Sequence, residues 1–200
     1  MARPVLVVAT SNAAKLREFA QLLRAVDIDL HDLAGYASIP QIEEPYDSYL
    51  ANAALKAITI ARHTNLPALA DDSGLEVAAL GGQPGARSAR FAGETASDAE
   101  NIARLLEQLK GVDAAQRNAR FRCVLVVARA DAGLFAEGTC EGTISSTPSG
   151  DSGFGYDPVF YYPPLARTFA QLDADTKNQI SHRARACARL APLLLDFLRR

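Results

Sequence analysis

Apolar positions along this chain follow distinct rhythms, and each rhythm predicts a different element. "PVLVVAT" at 4–10 is an unbroken, Val-rich run, as expected of a short strand buried on both faces. "SNAAKLREFAQLLRAV" follows at once, with Leu16, Phe19, Ala20 and Leu23 at helical spacing and Ser11 or Asn12 placed to cap the helix. Residues 28–33 offer a second short strand. "DSYLANAALKAITIARHT" (47–64) predicts a second helix capped by Asp47 or Ser48, and "PALAD" (67–71) another buried strand. From 74 to 93 Gly and Pro break every period, which predicts a long surface loop. "SDAENIARLLEQLKG" (97–111) is helical, opened by a Ser97/Glu100 capping box and stopped by Gly111.

In the second half, "ARFRCVLVVARA" (119–130) and "LFAEGTCEGTIS" (134–145) flank a short Asp-Ala-Gly turn and predict a long antiparallel hairpin. "PVFYYP" predicts a short strand. "ISHRARACARLAPLLLDFLRR" is helical, with Ile180, Ala184, Cys187, Ala191, Leu194 and Leu198 on one stripe and Pro192 as a kink or a fresh turn. The class is α/β, and the hairpin rules out a purely alternating doubly wound order.

Composition narrows the classes further. Two hundred residues without repeat, low-complexity tract or linker predict a single domain over 1–200. A net charge of −2 gives none of the basic excess that direct nucleic-acid binding needs. The N-terminal apolar run is too short for a signal peptide or a membrane span. Three distant cysteines without metal spacing read as reduced packing residues of a cytoplasmic protein.

Four stretches carry candidate chemistry. "ATSNAAK" (9–15) joins a buried strand to a helix, so its backbone N–H groups and Lys15 suit an anion; the alternative is an ordinary capped helix with a solvated lysine. Glu43-Glu44 and Asp71-Asp72 are paired acids, and strand alternation turns the two aspartates to opposite faces. Ser73-Gly74 allows a turn at the strand end, and carboxylates there suit a hard divalent cation; a cap and a solvated acid are the plainer reading. In "PSGDSGFGYDPVF" (148–160) Phe154 can stack on a flat ring and Asp157 accept hydrogen bonds, or the loop is a tight turn with core aromatics. "TKNQISHRARA" (176–186) presents Lys177, His182 and Arg183 as donors for carbonyl or phosphate oxygens, or else a basic solvated face.

"TSNAAK", "EEPYDSYLANAALKA", "LADDSGLEV", "FGYDPVF" and "ISHR", in this order, resemble the inosine/xanthosine triphosphate pyrophosphatase family, and most closely its bacterial branch. The resemblance spans residues 4–198. It implies a long mixed β-sheet flanked by helices, two lobes with a central active-site cleft, and a homodimer. It also implies Mg²⁺-dependent hydrolysis of deaminated purine triphosphates (ITP, dITP, XTP) to the monophosphate and pyrophosphate. By the same resemblance, Thr10, Ser11, Asn12 and Lys15 form the phosphate turn. Glu44 and Asp72 bind metal, and Asp72 is the general base. Asn52, Lys56, Ser73, Phe154, Gly155, Tyr156, Asp157, Lys177, His182 and Arg183 contact substrate, with His182 and Arg183 reading the purine 6-oxo group. The chain departs from the family pattern at Ser11, Ala51, Asp151 and Ala184. The rival readings are a related pyrophosphatase for pyrimidine or modified nucleotides and a non-catalytic nucleotide sensor.

Overall fold

The computed structural model describes residues 2–200. In chain order the regular elements are β1 (Val5–Val8), α1 (Ala13–Leu22), β2 (Asp29–His31), α2 (Tyr49–Thr64), β3 (Ala68–Val77) and α3 (Asp98–Gln108). They continue with β4 (Asn118–Ala128), β5 (Gly133–Ile144), β6 (Phe160–Tyr162), β7 (Arg167–Thr168), α4 (Ala174–Ile180) and α5 (His182–Arg199). The strands form one mixed seven-stranded sheet in the order β2-β1-β3-β4-β5-β6-β7. β1 pairs in parallel with β2 and β3, whereas β6 pairs antiparallel with β5 and β7. The turn between β4 and β5 is closed by Arg129 N–H donating to the Ala132 carbonyl at 3.0 Å. A connection that short makes the predicted hairpin.

The chain divides into two compact units, each assembled from distant stretches. The first comprises the chain up to Asp72, Cys123–Gly138 and Arg183–Arg200; the second comprises Ser73–Arg122 and Thr139–His182. Each has its own core. In the first, Leu6, Val8, Phe19, Leu69, Leu125, Leu190 and Leu194 pack together; in the second, Leu75, Val77, Leu105, Phe121, Phe160 and Phe169 do so. The division is written into β4. Asn118–Arg122 alternates exposed or half-buried residues with buried ones, while Cys123–Ala128 is buried throughout. The first pattern suits a sheet with one wet face, the second a sheet covered on both. All three cysteines are buried and none is in a disulfide. Among the described residues, no helix is long and apolar enough to cross a membrane.

The sequence expectations need correction at three places. β3 does not stop at Asp71: it runs to Val77, so Ser73-Gly74 is strand and not a turn. Leu75 and Val77, both fully buried, hold the strand in place across the glycine. The expected long loop at 74–93 is largely ordered by two 3-10 turns, Ala78–Leu80 and Gly85–Arg90. Ser88 ties the second turn down, its hydroxyl accepting from Leu75 N–H (2.8 Å) and donating to the Gly85 carbonyl (2.6 Å). The C-terminal helix also begins later than its stripe suggests. Ile180 belongs to α4, and α5 runs without interruption past Pro192.

Candidate active site

Asn12 caps α1, its side-chain oxygen accepting from the N–H groups of Ala14 and Lys15. Thr10 Oγ1 accepts from Asn12 N–H at 3.2 Å, and Ser11 lies exposed between them. Three of the N–H groups that the sequence offers to an anion are therefore satisfied inside the turn. Lys15 turns the other way, its ammonium 3.0 Å from Asp71 Oδ2. The same oxygen accepts from Arg183 Nη2 at 3.0 Å, and Arg183 Nη1 donates to Glu18 on α1 at 2.5 Å. Two cations and two anions thus form a balanced chain, Lys15–Asp71–Arg183–Glu18, with Asp71 and Arg183 almost wholly buried. Burial alone would push the Asp71 carboxyl up; Lys15, Arg183 and Lys56 overcome it and hold the group far below the ordinary carboxylate range. Each terminal nitrogen of the Arg183 guanidinium thus donates to a carboxylate, which ties Asp71 to Glu18 across the first unit.

Strand alternation sends Asp72 to different partners. Its Oδ2 accepts from Asn52 Nδ2 at 3.0 Å, and its Oδ1 lies 3.9 Å from Lys56 Nζ. Asn52 is itself fixed, donating to the Tyr46 carbonyl (2.8 Å) and accepting from Tyr46 N–H (3.1 Å). Lys56 also donates to Glu44. Burial pushes the Asp72 carboxyl up to about 6; the charge of Glu44 adds to that effect, against Lys56 and Asn52. Burial would lower Lys56, but Asp71, Glu44 and Asp72 together raise it above its ordinary value. Among the described residues, no group of three or more His, Cys, Asp or Glu is arranged around a metal position. Magnesium needs fewer, since it is usually held by one or two carboxylates and keeps several waters. Glu44 and Asp72, both facing Lys56, are the two carboxylates that could hold such an ion.

The second unit carries the aromatic loop. Gly153 and Gly155 have φ of +81° and +61°, and a Cβ on Gly153 would lie 2.0 Å from Asp157 Oδ2. That close approach lets Asp157 Oδ2 accept from Phe154 N–H at 3.0 Å. The same oxygen accepts from Lys177 Nζ at 2.6 Å. Lys177 Nζ sits over the Phe154 ring, 4.8 Å from its centroid. Gly155 N–H donates to Asp98 Oδ2 at 2.6 Å. Tyr156 is core and tether: it is buried, and its hydroxyl donates to the Ser88 carbonyl at 2.8 Å. Burial, then the nearby Asp98, raise that hydroxyl well above the ordinary tyrosine value. His182 stacks on Phe121 with centroids 4.7 Å apart. Ser73 is half-buried in β3.

Comparison with known proteins shows the family of the chain. The model of the Ham1 family matches residues 6–193. The chain belongs to the Ham1 family. It is 50% identical over 195 residues to a dITP/XTP pyrophosphatase of Methylococcus capsulatus, covering 96% of each chain. A dITP/XTP pyrophosphatase of Geobacillus kaustophilus is 48% identical over 188 residues, 92% of this chain and 91% of that one. Among solved structures, a HAM1 protein from Coxiella burnetii matches with a TM-score of 0.88 and 43% identity, over 96% of this chain and 99% of that one.

In this Ham1-family chain the residues expected at the site therefore fall into two groups. Thr10, Ser11, Asn12, Lys15, Glu44, Asn52, Lys56, Asp72 and Arg183 belong to the first unit; Ser73, Phe154, Gly155, Tyr156, Asp157, Lys177 and His182 belong to the second. Two participants escaped the sequence. Glu18 stands three residues after Lys15, on the same helix face, which was the available signal. Asp98 was hidden inside a capping signature that explained it as an ordinary helix start.

Proposed function

We propose that this chain hydrolyses deaminated purine nucleoside triphosphates, ITP, dITP and XTP, to the monophosphate and pyrophosphate. The observation that carries the reading is the setting of Asp72, a buried carboxylate beside a second acid, oriented by Asn52 and raised to about 6. A general base works best with a pKa near the working pH. The names of the relatives supply the substrate class.

Asp72 takes a proton from water as its oxygen bonds to the α-phosphorus. The bond from that phosphorus to the bridging oxygen breaks, and pyrophosphate leaves with the electron pair. Asn52 holds Asp72 Oδ2, leaving Oδ1 on the side of Lys56. Lys15 and Lys56 supply positive charge to the phosphates, and Asp71, backed by Arg183, fixes Lys15. Glu44 and Asp72 would hold Mg²⁺, which supplies charge stabilisation to the phosphoryl oxygens and the leaving group. Phe154 stacks the base, and the donors of Lys177 and His182 favour a 6-oxo acceptor over the 6-amino group of adenine.

The reading extends to a cytoplasmic homodimer that takes free nucleotides and binds neither nucleic acid nor membrane. An exposed apolar patch of Leu50, Ile58 and Phe135 in the first unit is a surface of the kind a second copy covers. The test is pyrophosphate release across ITP, XTP, dITP, GTP, ATP and dUTP, with and without Mg²⁺. Release from the first three alone, dependent on Mg²⁺, supports the proposal. Preference for dUTP favours the pyrimidine rival, and no release from any supports the sensor.

A further inference from the structure

The Phe154 loop depends on a residue far away in the chain. Two successive N–H groups of the loop are held by two different carboxylates. Phe154 N–H donates to Asp157, three residues on, and Gly155 N–H donates to Asp98, 57 residues back. The loop cannot fix itself with equal firmness, because Gly153 and Gly155, which flank Phe154, leave the backbone there many other conformations. Asp98, by contrast, stands on a rigid support as the first residue of α3. Ser97 and Glu100 close a capping box around that helix start. Ile102 and Leu105 bury the helix in the second core, and Asn101 accepts from Ala92 N–H and donates to the Ala89 carbonyl.

We propose that Asp98 is a positioning residue for base recognition, locking the Phe154–Gly155 peptide and with it the plane of the Phe154 ring. The inference rests on the assignment of that loop to the base. Its physical content is pre-organisation. If the peptide turns away from Asp98, the ring leaves the orientation in which Lys177 covers one face, and only a fraction of molecules can stack a purine. Apparent affinity falls by that fraction, while the chemistry at the phosphates is untouched.

The experiment compares wild type with Asp98→Ala, Asp98→Asn and Glu100→Ala. The readouts are KM and kcat for ITP, calorimetric affinity for IMP, and Tm. Asp98→Ala is expected to raise KM and weaken IMP about tenfold, the low end for loss of a hydrogen bond to a charged group, with kcat within about twofold. Asp98→Asn keeps an oxygen for Gly155 N–H and recovers most of the affinity. Glu100→Ala opens the capping box at the same helix end and lowers Tm without moving KM. Unchanged KM and IMP affinity in Asp98→Ala overturn the inference alone. So does an equal KM shift in Glu100→Ala, which would trace the effect to the helix end. A wild type that neither hydrolyses ITP nor binds IMP overturns the functional proposal and this inference with it.

Discussion

Asp71→Asn tests the buried charge network directly. The substitution keeps the size of the side chain and removes one negative charge from the balanced set Lys15–Asp71–Arg183–Glu18. Arg183 is then left with Glu18 as its carboxylate partner, in a side-chain environment only 1% exposed, and Lys15 loses the negative charge that lies 3.0 Å from its ammonium. Removing one partner of a buried ion pair costs about 3–5 kcal/mol. Lys15 is 20% exposed and can regain water, so the lower end, about 3 kcal/mol, is the expected loss. For a chain of this size that corresponds to a fall in Tm of roughly 6–12 °C. Urea unfolding of both proteins measures it, with a lower midpoint and an unchanged slope. The pH dependence has a definite sign. The folded-state pKa of Asp71 lies below its unfolded value, so its stabilisation is present above the ordinary carboxylate range and disappears as pH falls through and below about 4. The gap between wild type and variant therefore narrows in acid. A loss under about 0.5 kcal/mol at neutral pH, the size of an ordinary surface change, would refute the argument that this network is structural.

Asp72→Asn should abolish pyrophosphate release yet stabilise the metal-free protein at pH 7. Its pKa is raised from 3.8 to about 6, so ionised Asp72 costs stability, on the order of 2–3 kcal/mol, as pH climbs through that range; a less stable variant, or one with wild-type turnover, contradicts its role. Lys15→Ala should raise KM for ITP roughly tenfold or more and weaken IMP less, since the missing cation serves the distal phosphates; equal losses would move Lys15 away from them. Arg183→Ala should follow Lys15→Ala and leave the ITP/ATP ratio of kcat/KM within about threefold, whereas a tenfold narrowing would return Arg183 to the base. Gly153→Ala places a Cβ against Asp157 at a φ of +81°, so IMP affinity should collapse while Tm falls by only a few degrees; wild-type affinity would show that the loop geometry does not matter.

The fold was legible where one signal governed. The apolar runs that hold Val5–Val8 and Cys123–Ala128 and the Ser97/Glu100 box read correctly, and of the two caps offered for α1, Ser11 and Asn12, the structure uses Asn12, because burial and capping are local or periodic. β3 was cut short because two adjacent acids and a Ser-Gly pair have the composition of a turn. Only tertiary partners, Lys15 and Arg183 for Asp71 and Asn52 and Lys56 for Asp72, make such a strand tolerable. The two units left no linker to find, since the chain passes between them within β3, β4 and β5 and at the start of α5. Motif order carries no record of which side chains meet. The motif holding Arg183 says nothing of Glu18, which is 165 residues away.

Hydrolysis of ITP in ¹⁸O-labelled water tests the central claim most directly, because it reports which phosphorus is attacked. If Asp72 activates water toward the α-phosphorus, one labelled oxygen appears in IMP and the released pyrophosphate carries none. Label in the pyrophosphate would place the attack at the β-phosphorus. Release of IDP with orthophosphate would mean that the terminal phosphate is cleaved. Either result would contradict the account.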